Sequence, residues 1–139
     1  MGKKNFNIML REHGLKVTDA RLAILSVLDA VHGPMSTEEI HRALKKTPVD
    51  IVSVYRNLEA FLGAGMVREI DLRRGSSCYE MAHNHHHHIV CVKCGVIEKF
   101  DGCIVEGALT GILSKSKKFK SVSDHSFELF GLCKKCSTL

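Results

Sequence analysis

Cysteine and histidine are placed in this 139-residue chain at spacings that suit metal chemistry. Cys91-Val92-Lys93-Cys94 and Cys133-Lys134-Lys135-Cys136 are two Cys-x-x-Cys turns. Each such turn sets two thiolates on one side of an ion. Two of them complete a tetrahedral all-thiolate site, the donor set that suits Zn2+. The interval between the pairs is longer than in a compact zinc ribbon, so a shared ion would tie the first strand of the second half to the last residues of that half. Two unrelated redox pairs are the competing reading. Cys78 and Cys103 have no partner in sequence and read as small buried residues rather than ligands. A second cluster, His85-His86-His87-His88, comes just before the first cysteine pair. In an extended chain successive side chains point to opposite faces. His85 and His87 would then face one way and His86 and His88 the other, so one strand could begin two metal sites. The bland alternative is a solvated polar strand. An expression tag is a poor fit, because the run is internal and continues into apolar strand residues.

Two blocks of elements must hold these residues. The first half reads as helices. Phe6 to Leu10 begins a short one that ends by Gly14. Thr18 can cap a second, with Leu22, Leu25, Val27, Leu28 and Val31 on its apolar side, and Gly33-Pro34 ends it. Ser36-Thr37-Glu38-Glu39 is a capping box opening a third through Leu44. Asp50 can cap a fourth, carrying Ile51, Val54, Tyr55, Leu58, Phe61 and Leu62, with Gly63 and Gly65 as stops. Two strands follow, Met66–Leu72 and Cys78–Met81, around a basic tip at Arg73-Arg74. Helices followed by such a hairpin give the layout of a winged helix-turn-helix, with the Asp50 helix as the reading helix. A small helical domain with no role on DNA has the same layout. The second half reads strand (His86–Cys91), strand (Val96–Phe100), helix (about Cys103–Ser114), and strands near Ser121–His125 and Phe127–Leu132. The expected class is α+β: a winged-helix domain over 1–82 and a small α/β domain over 83–139.

Composition sets the bounds. A net charge of +5 permits an acidic partner without demanding one. The basic excess is small in both halves: 12 basic against 10 acidic side chains in residues 1–83, and 8 against 5 in the remainder. No run approaches the roughly 18 apolar residues of a membrane span. The first residues carry Lys3 and Lys4 with no apolar segment behind them, so a cytoplasmic protein without a signal peptide is expected. In that compartment paired thiols bind metal more readily than they form stable disulfides.

Several stretches together resemble the ferric uptake regulator (Fur) family: Gly14-Leu15-Lys16-Val17-Thr18-Asp19-Ala20-Arg21, Ser53-Val54-Tyr55-Arg56-Asn57-Leu58, Cys78-Tyr79-Glu80, His85 to Cys94, and Phe127 to Cys133. The likeness runs over essentially the whole chain. It implies a winged-helix DNA-binding domain, a dimerisation domain, and repression of transcription controlled by a divalent metal: iron, zinc or manganese. By position, Cys91, Cys94, Cys133 and Cys136 match the structural zinc site. Glu80, His86 and His88 match three ligands of the sensing site. His85, His87, Glu106 and His125 match a further metal site in the dimerisation domain. Lys16 matches a lysine that enters the minor groove. Tyr55 and Arg56 match contacts of the reading helix, with tyrosine toward base edges or thymine methyls and arginine toward phosphate or base.

The sequence also departs from the family pattern. Where the sensing site usually takes a histidine ahead of the third helix, this chain has Pro34, and its nearest histidine, His32, becomes the candidate fourth ligand. A usual carboxylate after the first cysteine pair aligns with Lys99. The histidine run resembles the zinc-responsive branch, but Arg68 stands where that branch usually has an acidic residue. The expected protein is a homodimeric, metal-dependent repressor of a double-stranded operator, holding structural Zn2+ and a regulatory Fe2+, Zn2+ or Mn2+, and not an enzyme. A peroxide-sensing regulator of the same family and a metal storage or delivery protein are the alternatives. A zinc enzyme using the His/Glu cluster to activate water would need an open coordination position and a substrate pocket.

Overall fold

The computed structural model describes residues 3–31, 33–82, 86–102 and 104–138, with side chains from Phe6 onward. The chain forms two compact units, Met1–Asn84 and His85–Leu139.

The first unit runs α1 (Lys3–Glu12), α2 (Asp19–Ala30), β1 (Met35–Ser36), α3 (Thr37–Ala43), α4 (Ile51–Gly63), β2 (Val67–Ile70) and β3 (Cys78–Met81). The starts of α2, α3 and α4 each have a chemical cause. Thr18 accepts the Arg21 N–H at the head of α2. At α3 the Glu39 N–H donates to Ser36 Oγ and the Ser36 N–H donates to Glu39 Oε1, both at 3.2 Å, so two helix-end donors are satisfied reciprocally. Asp50 caps α4 by accepting the Ser53 N–H at 2.8 Å. That backbone donor holds the Asp50 carboxyl below the usual carboxylate range. α4 extends through Gly63 and is closed one turn later. Gly65 takes φ +76, and the Met66 N–H reaches back to the Phe61 carbonyl at 2.9 Å, which turns the chain into β2.

β3 lies between β1 and β2, antiparallel to both. The two-residue β1 has no periodicity to read and appears only through its pairing, Met35 opposite Tyr79 and Ser36 opposite Cys78. Phe6, Leu10, Ile24, Leu25, Leu28, Ile40, Val54, Leu58 and Phe61 are buried together with Met66, Val67 and Met81. Four helices on a small sheet, with the basic Arg73-Arg74 segment between β2 and β3, form the winged-helix arrangement.

The second unit runs β4 (His87–Cys91), β5 (Ile97–Phe100), α5 (Ile104–Lys115), β6 (Glu128–Gly131) and α6 (Lys134–Ser137). β4 is central, antiparallel to β5 and parallel to β6. The strand expected near Ser121–His125 does not form. Ser121, Ser123 and Asp124 surround a single apolar residue, Val122. The His125 N–H bonds to the Asp124 carboxylate at 2.8 Å, a local bond that competes with any sheet ladder. The short α6, capped by Cys133, was not expected from the sequence.

Candidate metal centres and nucleic-acid interface

In the second unit, chain folding brings together two cysteine pairs that begin 42 residues apart. Cys91 ends β4 and Cys94 lies in the following turn. Cys133 follows β6, and Cys136 lies in α6. The parallel pairing of β4 with β6 sets Cys91 opposite Gly131, two residues before Cys133. Gly95, at φ +80, lets the chain double back, so that the Cys91 N–H reaches the Val96 carbonyl at 2.9 Å. All four Sγ atoms lie within 4.8 Å of one another. Cys94 Sγ is 3.8 Å from Cys133 Sγ. Zn–S bonds of about 2.3 Å in a tetrahedron place sulfurs about 3.8 Å apart, so this donor set fits Zn2+.

The electrostatics agree with the geometry. Backbone N–H groups of Cys94 and then Cys133 hold the Cys91 thiol down at about 5. The Cys136 thiol is pushed up to about 12, first by its hydrogen bond with Cys133 and then by burial. Such a cluster accepts one negative charge readily and resists the next. A divalent cation removes that resistance.

The histidine run divides between two environments. His86 and His88 are buried, with ring centroids 5.0 Å apart and near perpendicular. His87, also buried, lies instead against Phe100, Phe127 and His125, with centroids 5.9, 5.3 and 5.4 Å away. Its Nδ1 is 3.0 Å from the Phe127 carbonyl. A carbonyl only accepts, so Nδ1 carries the proton in this contact, and in the neutral ring Nε2 is then the acceptor nitrogen, the tautomer a metal ligand needs. Glu106 is exposed in the first turn of α5. Among the described residues it forms no ligand group with His87 and His125. His85 and His32, named above as ligands, lie outside the described residues. In the first unit Glu80 is a buried carboxylate in β3, opposite Arg68 of β2. Lys99, which holds the position of the family's carboxylate, is the cross-strand partner of His88.

The DNA-facing candidates all belong to the first unit. Val54, Leu58 and Phe61 bury one side of α4. Tyr55 and Arg56 are exposed beside that buried side, and Lys16 is exposed ahead of α2. The Tyr55 hydroxyl donates to Glu38 Oε1 at 3.1 Å. The backbone N–H of Glu38 at the start of α3, and after it this bond, hold the Glu38 carboxyl below the usual carboxylate range. Sequence reasoning missed the pair Arg21 and Asn57, which are hydrogen-bonded at 3.0 Å. The available signal was a charged residue and an amide on the half-buried sides of two amphipathic helices.

Residues 12–130 match the model of the Ferric uptake regulator family. The chain belongs to the ferric uptake regulator family. It is 34% identical over 131 residues to a ferric uptake regulation protein of Legionella pneumophila, covering 91% of this chain and 95% of that one. It is 31% identical over 129 residues to the peroxide-responsive repressor PerR of Staphylococcus saprophyticus, covering 91% and 86%. Among solved structures, the ferric uptake regulator of Pseudomonas aeruginosa with manganese shares 34% identity at a TM-score of 0.76, covering 94% of this chain and 98% of that one. As a Fur-family member the chain is a metal-responsive transcriptional regulator, with a winged-helix domain followed by a small α/β domain.

Proposed function

We propose that this Fur-family chain is a homodimeric repressor that binds an operator when a regulatory divalent ion is present. One observation carries the reading. A single chain combines an exposed reading-helix face, Tyr55 and Arg56, with buried imidazoles at His86 and His88 that are separate from the four-cysteine cluster. A storage protein has no use for the first, and a metal-independent DNA-binding protein has no use for the second.

In this proposal Cys91, Cys94, Cys133 and Cys136 hold a structural Zn2+. Glu80, His86 and His88, with His32 as fourth ligand, hold the regulatory Fe2+, Zn2+ or Mn2+. His85, His87, Glu106 and His125 form the second site. Lys16, Tyr55 and Arg56 meet DNA. One carboxylate and neutral imidazoles around a divalent ion leave a net charge of about +1, which favours the approach of phosphate. Binding that is tighter in the DNA-competent arrangement shifts the population toward it, no further than that difference in affinity allows.

What the second unit leaves uncovered supports dimerisation. Among its described residues α5 buries no side chain, while Ile104 and Ile112 are exposed on it and Ile89 and Leu129 on the sheet. So small a unit with so little core needs a partner surface. No helix among the described residues is long and apolar enough to cross a membrane, and a regulator of transcription works in the cytoplasm, where the DNA is.

The test is a titration of the purified protein, its four-cysteine site filled, with Fe2+, Mn2+ and Zn2+ separately. The readout is affinity for duplexes that it selects from a random-sequence pool. The proposal expects at least one ion to raise affinity by about tenfold or more, within the usual range of coupling between two sites. Equal affinity with and without every ion contradicts it.

A further inference from the structure

Arg21 links three parts of the first unit. Its backbone N–H donates to Thr18 Oγ1 at 3.2 Å, at the head of α2. Its side chain reaches in two directions: Nε–H donates to Asn57 Oδ1 at 3.0 Å, and Nη1 donates to the Lys16 carbonyl at 2.9 Å. Asn57 Nδ2 in turn donates to the Ser53 carbonyl at 2.9 Å, one turn back along α4. Chemistry forces these directions. A guanidinium only donates and a main-chain carbonyl only accepts, so the amide oxygen faces Arg21 and its nitrogen faces Ser53.

The loop carrying Lys16 is held to the core on its own side. Leu15 and Val17 pack against the hydrophobic cluster, and the Leu15 N–H reaches the Leu10 carbonyl at 2.8 Å. The alternation turns Lys16 outward, where it is exposed. The Leu15 bond ties the loop to α1. The guanidinium fork ties it to α4, at the residue next to Arg56 and two beyond Tyr55. A planar fork can hold two acceptors at a fixed separation, which an ammonium on a flexible stem cannot.

We infer that Arg21 and Asn57 form a latch that sets where Lys16 stands relative to the Tyr55–Arg56 face, so that the loop and the reading helix meet DNA in fixed register. Both are positioning residues, acting through Lys16. The inference rests on the DNA-reading roles proposed above.

The test is a cycle of Lys16→Ala, Arg21→Lys and the double variant, each metal-loaded. The probe is one duplex that the wild-type protein selects from a random-sequence pool. Affinity is measured across salt concentrations, alongside the unfolding midpoint. Lys16→Ala is expected to weaken binding about tenfold and flatten the salt slope by about one unit. Arg21→Lys is expected to weaken it about three- to tenfold, as for one or two lost hydrogen bonds. The double variant should bind no more weakly than Lys16→Ala alone. Losses that multiply in the double variant overturn the latch. So does an Arg21→Lys protein that is less stable yet binds as wild type. If Arg21→Lys does not fold, Asn57→Ala takes its place in the cycle under the same criteria. Wild-type binding and salt slope for Lys16→Ala alone would strike at the DNA-reading role of Lys16 itself, and the latch would then have nothing to position.

Discussion

In the proposed function four sulfurs and two buried imidazoles carry the chemistry, and they are not equally replaceable. Cys133 supplies a sulfur, caps α6 and accepts the Cys136 N–H at 3.4 Å. Cys133→Ser should release the proposed structural zinc and loosen the dimer, because a hydroxyl is a poor ligand beside three thiolates and a thiolate site couples metal binding to folding. Metal counting and sedimentation check this; stoichiometric zinc on an intact mutant dimer would defeat the assignment. The cysteine pairs were legible in the sequence because Cys-x-x-Cys is a local geometry that two residues specify between them. The separation of His87 from His86 and His88 was legible too, since strand pleating needs no tertiary information. The position of Glu106 was different. Its match to His87 and His125 came from family resemblance alone, and the side chain lies exposed on α5. The Arg21–Asn57 bond joins residues 36 apart, and neither residue reveals the other in sequence.

Helix starts were the most readable elements, because a cap is a side chain meeting a backbone donor three residues on. The Ser36–Glu39 box has both of its bonds. Ser36→Ala should cost about 1 kcal/mol of stability, the usual loss for a serine cap. Urea unfolding at constant zinc would show it. An unchanged midpoint would mean that the packing of Ile40 alone fixes α3. Strands were less readable. β1 exists only through its pairing with β3, and the expected Ser121–His125 strand lost to local hydrogen bonding by Asp124. α6 follows from the geometry of the cysteine turn rather than from any helical period. It has four residues, too few for periodicity to show.

For the protein as a whole, the sequence separated a helical DNA-facing part from a metal-rich part by a change of residue types, and the charge balance added little. A net charge of +5 spread over both halves does not locate a DNA surface. The exposed Tyr55–Arg56 face and the uncovered α5 do more: the proposal gives the first to DNA and the second to another protomer. The account therefore stands on coupling between ion and DNA through the buried imidazole pair. The most direct measurement compares wild type with a His86→Ala/His88→Ala double variant, both with the four-cysteine site filled and shown to be dimeric. Affinity for the selected duplex is titrated against the activating ion. The account predicts that the variant loses one bound ion per chain and no longer responds to added metal, while its weak ion-free affinity matches that of the wild type. A double variant that still tightens on the duplex as the ion is added would contradict it.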